Sequence, residues 1–233
     1  EQINKAIRSK NIHFPRTGLL CLENTHNRAG GAVLTPEQTR SMANAAHERG
    51  VPIHLDGARI FNAALALGID VRELTAPVDS VMFCLSKGLG APVGSLLAGS
   101  RSFIERARKN RKVLGGGLRQ AGILAAAGII ALEKMVGRLA EDHYNARILA
   151  QELSLLPGIT INPGEFSTNI IVFSIQELGV TAAQFEDLLA SHGVLANSVT
   201  DTTIRFVTHK DVSEEQIKEV VKIVHKIVKN LGK

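Results

Sequence analysis

A lysine and an aspartate stand at the ends of two apolar runs, each at a place where a buried strand should stop. Val81 to Leu85 is five consecutive apolar residues, the pattern of a strand buried on both faces, and Ser86, Lys87 and Gly88 break it. Upstream, Val51 to Leu55 reads as a second strand, which Asp56 closes, and Gly57 to Arg59 then begin a helix running to about Leu67. An amine at a strand end can attack a carbonyl, and a carboxylate nearby can hold a positive charge. The bland alternatives are a lysine that escapes into solvent and a simple salt bridge between the two.

The elements between them decide whether the two groups can meet. Strand, helix and strand in this order make a crossover unit, which lays its strands parallel and opens their carboxyl ends on one edge of the sheet. In open α/β sheets that edge is where ligands bind. Asp56 and Lys87 are both expected there, with Arg59 joining from the first turn of the helix.

The rest of the chain supplies the frame. Residues 1 to 12 look like the end of a helix, Gly18 to Leu22 is a short strand, and ENTHNRAGG (23 to 31) is loop. Thr35, Pro36 and Gln38 form the start of a helix ending at Gly50. Val93 to Ala98 reads as a strand, and RARKNRK (106 to 112), with five positive charges in seven positions, as a solvated helix face. After Gly115, Gly116 and Gly117, Arg119 starts a helix rich in small residues. Its periodicity continues to Leu156, with a break near Gly137, until Pro157 and Gly158 end it. Beyond it, Thr168 to Ile175, Val194 to Ala196 and Thr203 to Val207 read as strands, while Thr181 with Gln184 and Ser213 with Gln216 cap two helices. That alternation predicts a small α+β domain, with the boundary near residues 137 to 145.

Composition narrows the class. With 233 residues, 45% of them hydrophobic, the chain can bury a sizeable core. Its net charge of +5 comes from 27 basic residues scattered among 22 acidic ones, and one tyrosine without tryptophan leaves few platforms for stacking bases. Nucleic acid is therefore not the expected partner, whereas a small anion such as phosphate is. Cys21 and Cys84 lie within apolar runs and suit a reducing cytoplasm, and no run approaches the roughly 20 apolar residues of a membrane span. A cytoplasmic protein without membrane contact is expected. The sequence opens at Glu1 without methionine, so a natural beginning further upstream is expected too.

Pyridoxal 5'-phosphate needs a lysine amine for a Schiff base, a carboxylate to keep its pyridine nitrogen protonated, and a phosphate cradle. Lys87 and Asp56 suit the first two roles. Ser86 with the Gly88 and Gly90 backbone suits the third, or merely shapes the turn. His54 and Asp56 share a strand face as a metal pair would, yet no third ligand is spaced with them, so no catalytic metal is expected.

Five segments in order carry a family resemblance: ENTHNRAGG, HLDGARIFNAA (54 to 64), FCLSKGLGAPVGS (83 to 95), GGGLRQAGILAAAG (115 to 128) and IRFVTHKDVS (204 to 213). They resemble the low-specificity L-threonine aldolases over essentially the whole chain. The resemblance implies a fold-type-I pyridoxal phosphate enzyme, a PLP-dependent transferase-like α/β fold that cleaves L-threonine or L-allo-threonine to glycine and acetaldehyde. Residues 1–138 would be the carboxyl-terminal part of the cofactor-binding large domain and 139–233 a small α+β domain.

Position by position, the resemblance implies Lys87 as the Schiff-base lysine and Asp56 as the partner of the pyridine nitrogen. Arg59 and Arg205 would hold the substrate carboxylate, Arg59 also lying near the cofactor. Arg119, with Lys112 close by, would reach the cofactor phosphate of a neighbouring subunit, which implies a homo-oligomer, a tetramer with shared sites. His13, in NIHFPRT, would lie near the substrate hydroxyl as its base, with His26 and His54 the weaker candidates. The family begins with a further segment, roughly its first third, that holds a phosphate loop and a ring-stacking histidine absent here, so the cradle is expected to be incomplete. Two alternatives stay open: another fold-type-I lyase or aminotransferase, and a non-catalytic relative serving as an assembly module.

Overall fold

The computed structural model describes residues 1–161 and 168–232. Contacts within the chain divide it into two compact units, Glu1–Thr25 with Val33–Val136, and His26–Ala32 with Gly137–Lys233. The loop at 26–32 thus belongs with the carboxyl-terminal unit, which its position in the sequence does not suggest.

In the first unit a four-stranded sheet runs in the order β1 (Leu20–Glu23), β2 (Ile53–Asp56), β3 (Ser80–Cys84), β4 (Ser95–Gly99). β1, β2 and β3 are parallel, and β4 returns antiparallel to β3. Helices α1 (Gln2–Ala6), α2 (Pro36–His47), α3 (Ile60–Leu67) and α4 (Val71–Thr75) precede and link these strands. The period of two along β2 sorts its side chains: Ile53 and Leu55 are fully buried, and His54 and Asp56 take the other face. Against Ile53 pack Ala43 and Ala46 of α2, and against Leu55 pack Ile60, Ala63 and Ala64 of α3 and Leu74 of α4. Thr35 and Gln38 close a reciprocal capping box that starts α2.

Several expected elements shift. The first helix ends at Ala6, and β3 is buried only at Ser80 and Val81, so it is not a strand enclosed on both faces. α4 is an extra turn in the crossover, opened by a capping box at Asp70 and Glu73. Two more helices follow β4, α5 (Arg101–Val113) and α6 (Gly122–Lys134). Arg119 does not start α6. It lies in the loop before it, where Gln120 has φ 49.

Besides the loop at 26–32, the second unit contains α7 (Leu139–Leu153). A three-stranded antiparallel sheet, β5 (Ile170–Ser174), β7 (Thr203–Val207) and β6 (Asn197–Thr200) in that order, packs with α8 (Ala182–Ala190) and α9 (Glu214–Leu231). Val194 to Ala196 is not a strand, because pairing with β7 starts only at Asn197. Thr181 with Gln184 and Ser213 with Gln216 form the capping boxes of α8 and α9. One continuous core joins Leu149 and Leu153, Phe173, Phe185, Ile204, Phe206, Ile227 and Val228.

Candidate active site

The carboxyl edge of the first sheet is built by the way the chain leaves β2 and β3. Asp56 stands opposite Glu23 on one side and Met82 on the other. Neighbouring strands run about 4.8 Å apart, so groups at the ends of β2 and β3 can serve one small molecule. Gly57 keeps them close. Its N–H donates to the Met82 carbonyl at 2.8 Å, and a Cβ at this position would lie 2.8 Å from that same oxygen. The next turn is fixed by Asp56 Oδ1, which accepts the Ala58 N–H at 3.0 Å. Oδ2 of Asp56 has no hydrogen-bond partner among the described residues.

Lys87 does not sit at a bare strand end. It occupies the loop joining antiparallel β3 and β4, closed where the Leu85 N–H donates to the Gly94 carbonyl at 2.9 Å. Leu85, Leu89 and Ala91 are buried and anchor this loop, and the Gly90 N–H returns to the Lys87 carbonyl at 2.9 Å. Gly90 has φ 73, a left-handed conformation that glycine adopts without a steric penalty. The Lys87 side chain is exposed, and its amine has no partner among the described residues. Ser86 is exposed beside it. Arg59 lies in the turn immediately before α3, half-buried.

Other residues singled out from the sequence fall elsewhere. His13 is exposed on the loop that leads into the amino end of β1, and its hydrogen bonding among the described residues is confined to its own N–H on Asn11 Oδ1 at 2.8 Å. His26 Nδ1 accepts the Ala29 N–H at 3.1 Å and so shapes a turn. His54 Nδ1 pairs across strands with the Ser80 hydroxyl at 2.9 Å. Lys112, in the last turn of α5, and Arg119 are both exposed. Cys21 is exposed rather than packed as a small hydrophobe, and Cys84 is half-buried. Among the described residues no three His, Cys, Asp or Glu side chains gather as metal ligands.

Arg205 stands on the central strand of the second unit's sheet. One Nη1 proton goes to Asn27 Oδ1 at 3.1 Å, while Nε is buried without an acceptor among the described residues. Asn27 was legible only as part of a polar loop. Thr25, which follows β1, is similar: its hydroxyl is buried and unpartnered among the described residues. In the same unit as Arg205, burial together with the charge of Arg147 holds His143 down to about 4.

The fold is one shared with solved pyridoxal phosphate-dependent enzymes. The PLP-dependent aminotransferase of Streptococcus suis superimposes with a TM-score of 0.78 at 19% identity, covering 100% of this chain and 61% of that one. Leishmania major threonine aldolase gives 0.75 at 18%, covering 94% and 64%. By sequence, the chain belongs to the beta-eliminating lyase family, whose model matches residues 1–176. It is 42% identical to low-specificity L-threonine aldolase 1 of Arabidopsis thaliana, over 93% of this chain and 62% of the relative. Identity to the low specificity L-threonine aldolase of Escherichia coli K12 is 45%, over 94% and 63%. The chain thus spans less than two thirds of the length of these relatives.

Proposed function

We propose that this chain serves a pyridoxal phosphate-dependent lyase activity that splits L-threonine or L-allo-threonine into glycine and acetaldehyde. The observation that carries this reading is the parallel pairing of β2 with β3, which sets Asp56 and the Lys87 loop at one sheet edge, each with an unpartnered reactive atom among the described residues. The donor set fits the cofactor. A free amine, a carboxylate oxygen without a partner and the orphaned Thr25 hydroxyl are what an aldehyde, a pyridinium nitrogen and further polar groups would engage.

Lys87 would be the attachment amine, and Asp56, steadied through Oδ1, would hold the protonated ring nitrogen. When bound, pyridoxal phosphate supplies the sink for the electrons of the breaking Cα–Cβ bond. Arg59 and Arg205 hold the substrate carboxylate by charge-assisted hydrogen bonds. His13 takes the β-hydroxyl proton, an assignment supported by family resemblance alone. Ser86 and the backbone of Gly88 and Gly90 contribute to the phosphate cradle, and no catalytic metal takes part.

Residues 1–138 would form the carboxyl-terminal part of a large cofactor domain and 139–233 a small domain. Lys112 and Arg119 serve a neighbouring subunit of a homotetramer. Supporting this, Leu114, Leu118 and Ile123 beside them are exposed, a surface of the kind that partners cover. Free cysteines support a cytoplasmic setting.

Incubation with pyridoxal phosphate and L-threonine, using protein that carries any encoded flanking sequence, tests the reading. Release of acetaldehyde, abolished together with the cofactor's visible absorbance by Lys87→Ala, is expected. An amino product formed only with a keto acid acceptor would replace it with an aminotransferase, the second reading that the Streptococcus suis fold match permits. A protein that takes up no cofactor would be an assembly module.

A further inference from the structure

The loop after β1 is ordered by hydrogen bonds. At its base, Asn24 is fully buried, its Nδ2 donating to the Leu34 carbonyl at 2.9 Å while the Leu34 N–H donates to its Oδ1 at 3.2 Å. Inside, the His26 N–H reaches the Ala32 carbonyl and the Gly31 N–H the His26 carbonyl, both at 2.9 Å. Residues 27–29 are wound into a single tight turn capped by the His26 ring. The tip is seated within the second unit: Thr168 Oγ1 donates to the Gly31 carbonyl at 3.2 Å, and a Cβ on Gly31 would come within 2.5 Å of that hydroxyl. Only glycine permits so close an approach at φ 78.

From this tip Asn27 reaches Arg205. A guanidinium is a rigid fork of five N–H groups, so fixing one corner orients the rest. Asn27 Oδ1 takes a proton of Nη1 at 3.1 Å, and the opposite edge of the fork keeps a buried Nε with no acceptor among the described residues. Buried donors are nearly always matched, and a ligand oxygen can supply the match. The chemistry of the orienting group matters too. A carboxylate here would neutralise the guanidinium, whereas an amide oxygen holds it and leaves its charge for an incoming anion.

We infer that Asn27 is a positioning residue for Arg205: it aligns the guanidinium so that Nε, without an acceptor among the described residues, is left for the α-carboxylate of the amino-acid substrate while the group keeps its charge. The inference rests on the proposed role of Arg205 in binding that carboxylate.

Equilibrium titration of the cofactor-loaded protein with glycine and with methylamine, which lacks the carboxylate, separates the two ideas. Arg205→Gln should erase the preference for glycine. Asn27→Ala should weaken glycine about tenfold, leave methylamine and the melting midpoint unchanged, and add nothing in the Arg205→Gln background. Asn27→Asp, isosteric but charged, should weaken glycine at least as much without lowering the midpoint. Unchanged glycine binding in Asn27→Ala, parallel weakening of methylamine, or an undiminished effect when Arg205 is already gone would overturn the inference while the role of Arg205 stands. A preference for glycine that survives Arg205→Gln would remove that role and the inference with it.

Discussion

The two units of this chain bury their apolar residues very differently. The second closes a single core around Phe173, Phe185, Ile204 and Phe206 from elements of its own. In the first, buried residues form two small clusters, around Leu55 and around Ile53. β4 is exposed along its whole length, and Leu114 and Ile123 are 85% and 87% exposed. Surfaces of this sort mark places where other protein binds. The unit that carries Asp56 and Lys87 thus leaves more large apolar side chains exposed than the unit that carries Arg205, whose own exposed ones include Leu155 and Leu195.

Truncating the closed core should show the largest effect. Phe185→Ala removes a fully buried ring and is expected to cost about 3–5 kcal/mol, read as a lower urea midpoint for the second unit. A loss under half of that would mean this core is less self-sufficient than its packing implies.

Acid should act on the same unit. His143 titrates at about 4 when folded against 6.5 when exposed, so between these values the unfolded chain binds the extra proton. Stability is intact above pH 6.5 and falls as pH drops towards 4, by at most about 3 kcal/mol. His143→Asn should flatten that slope in denaturation curves taken across the window, and an unchanged slope would assign it to other groups.

Helix capping gives a smaller step. Thr181→Ala, which removes the hydroxyl accepting the Gln184 N–H, should cost about 1 kcal/mol by the same measurement. Least affected in folding is the open face of the first unit. Ile123→Ser is expected to change stability by under about 0.5 kcal/mol, yet to raise the concentration at which subunits separate in sedimentation. If assembly is indifferent to it, the contrast between the units loses its functional meaning.

Much of the architecture was legible because local signals were strong. The capping boxes at Thr35, Thr181 and Ser213 form as their spacing implies, and the runs before Asp56 and Lys87 are strands that pair in parallel. Where local signals were weak, the expectations drifted. Val194 to Ala196 has strand-like residues but no pairing partner among the described residues, and Arg119 precedes its helix because three glycines and a left-handed Gln120 leave the chain without helical geometry until Gly122. Lys87 could be placed at the end of an apolar run, but the anchored loop that holds it depends on Leu85 bonding to Gly94 across a hairpin.

Sequence alone set the periods, the caps, the residue types able to do chemistry and the family motifs, since each of these is written within a few neighbouring residues. The tertiary structure decided which faces are covered, that the loop at 26–32 belongs with the carboxyl-terminal unit, and that Asn27 meets Arg205. Those outcomes depend on contacts between residues far apart in the chain, the Asn27–Arg205 bond spanning 178 positions, and no local pattern encodes such a distance.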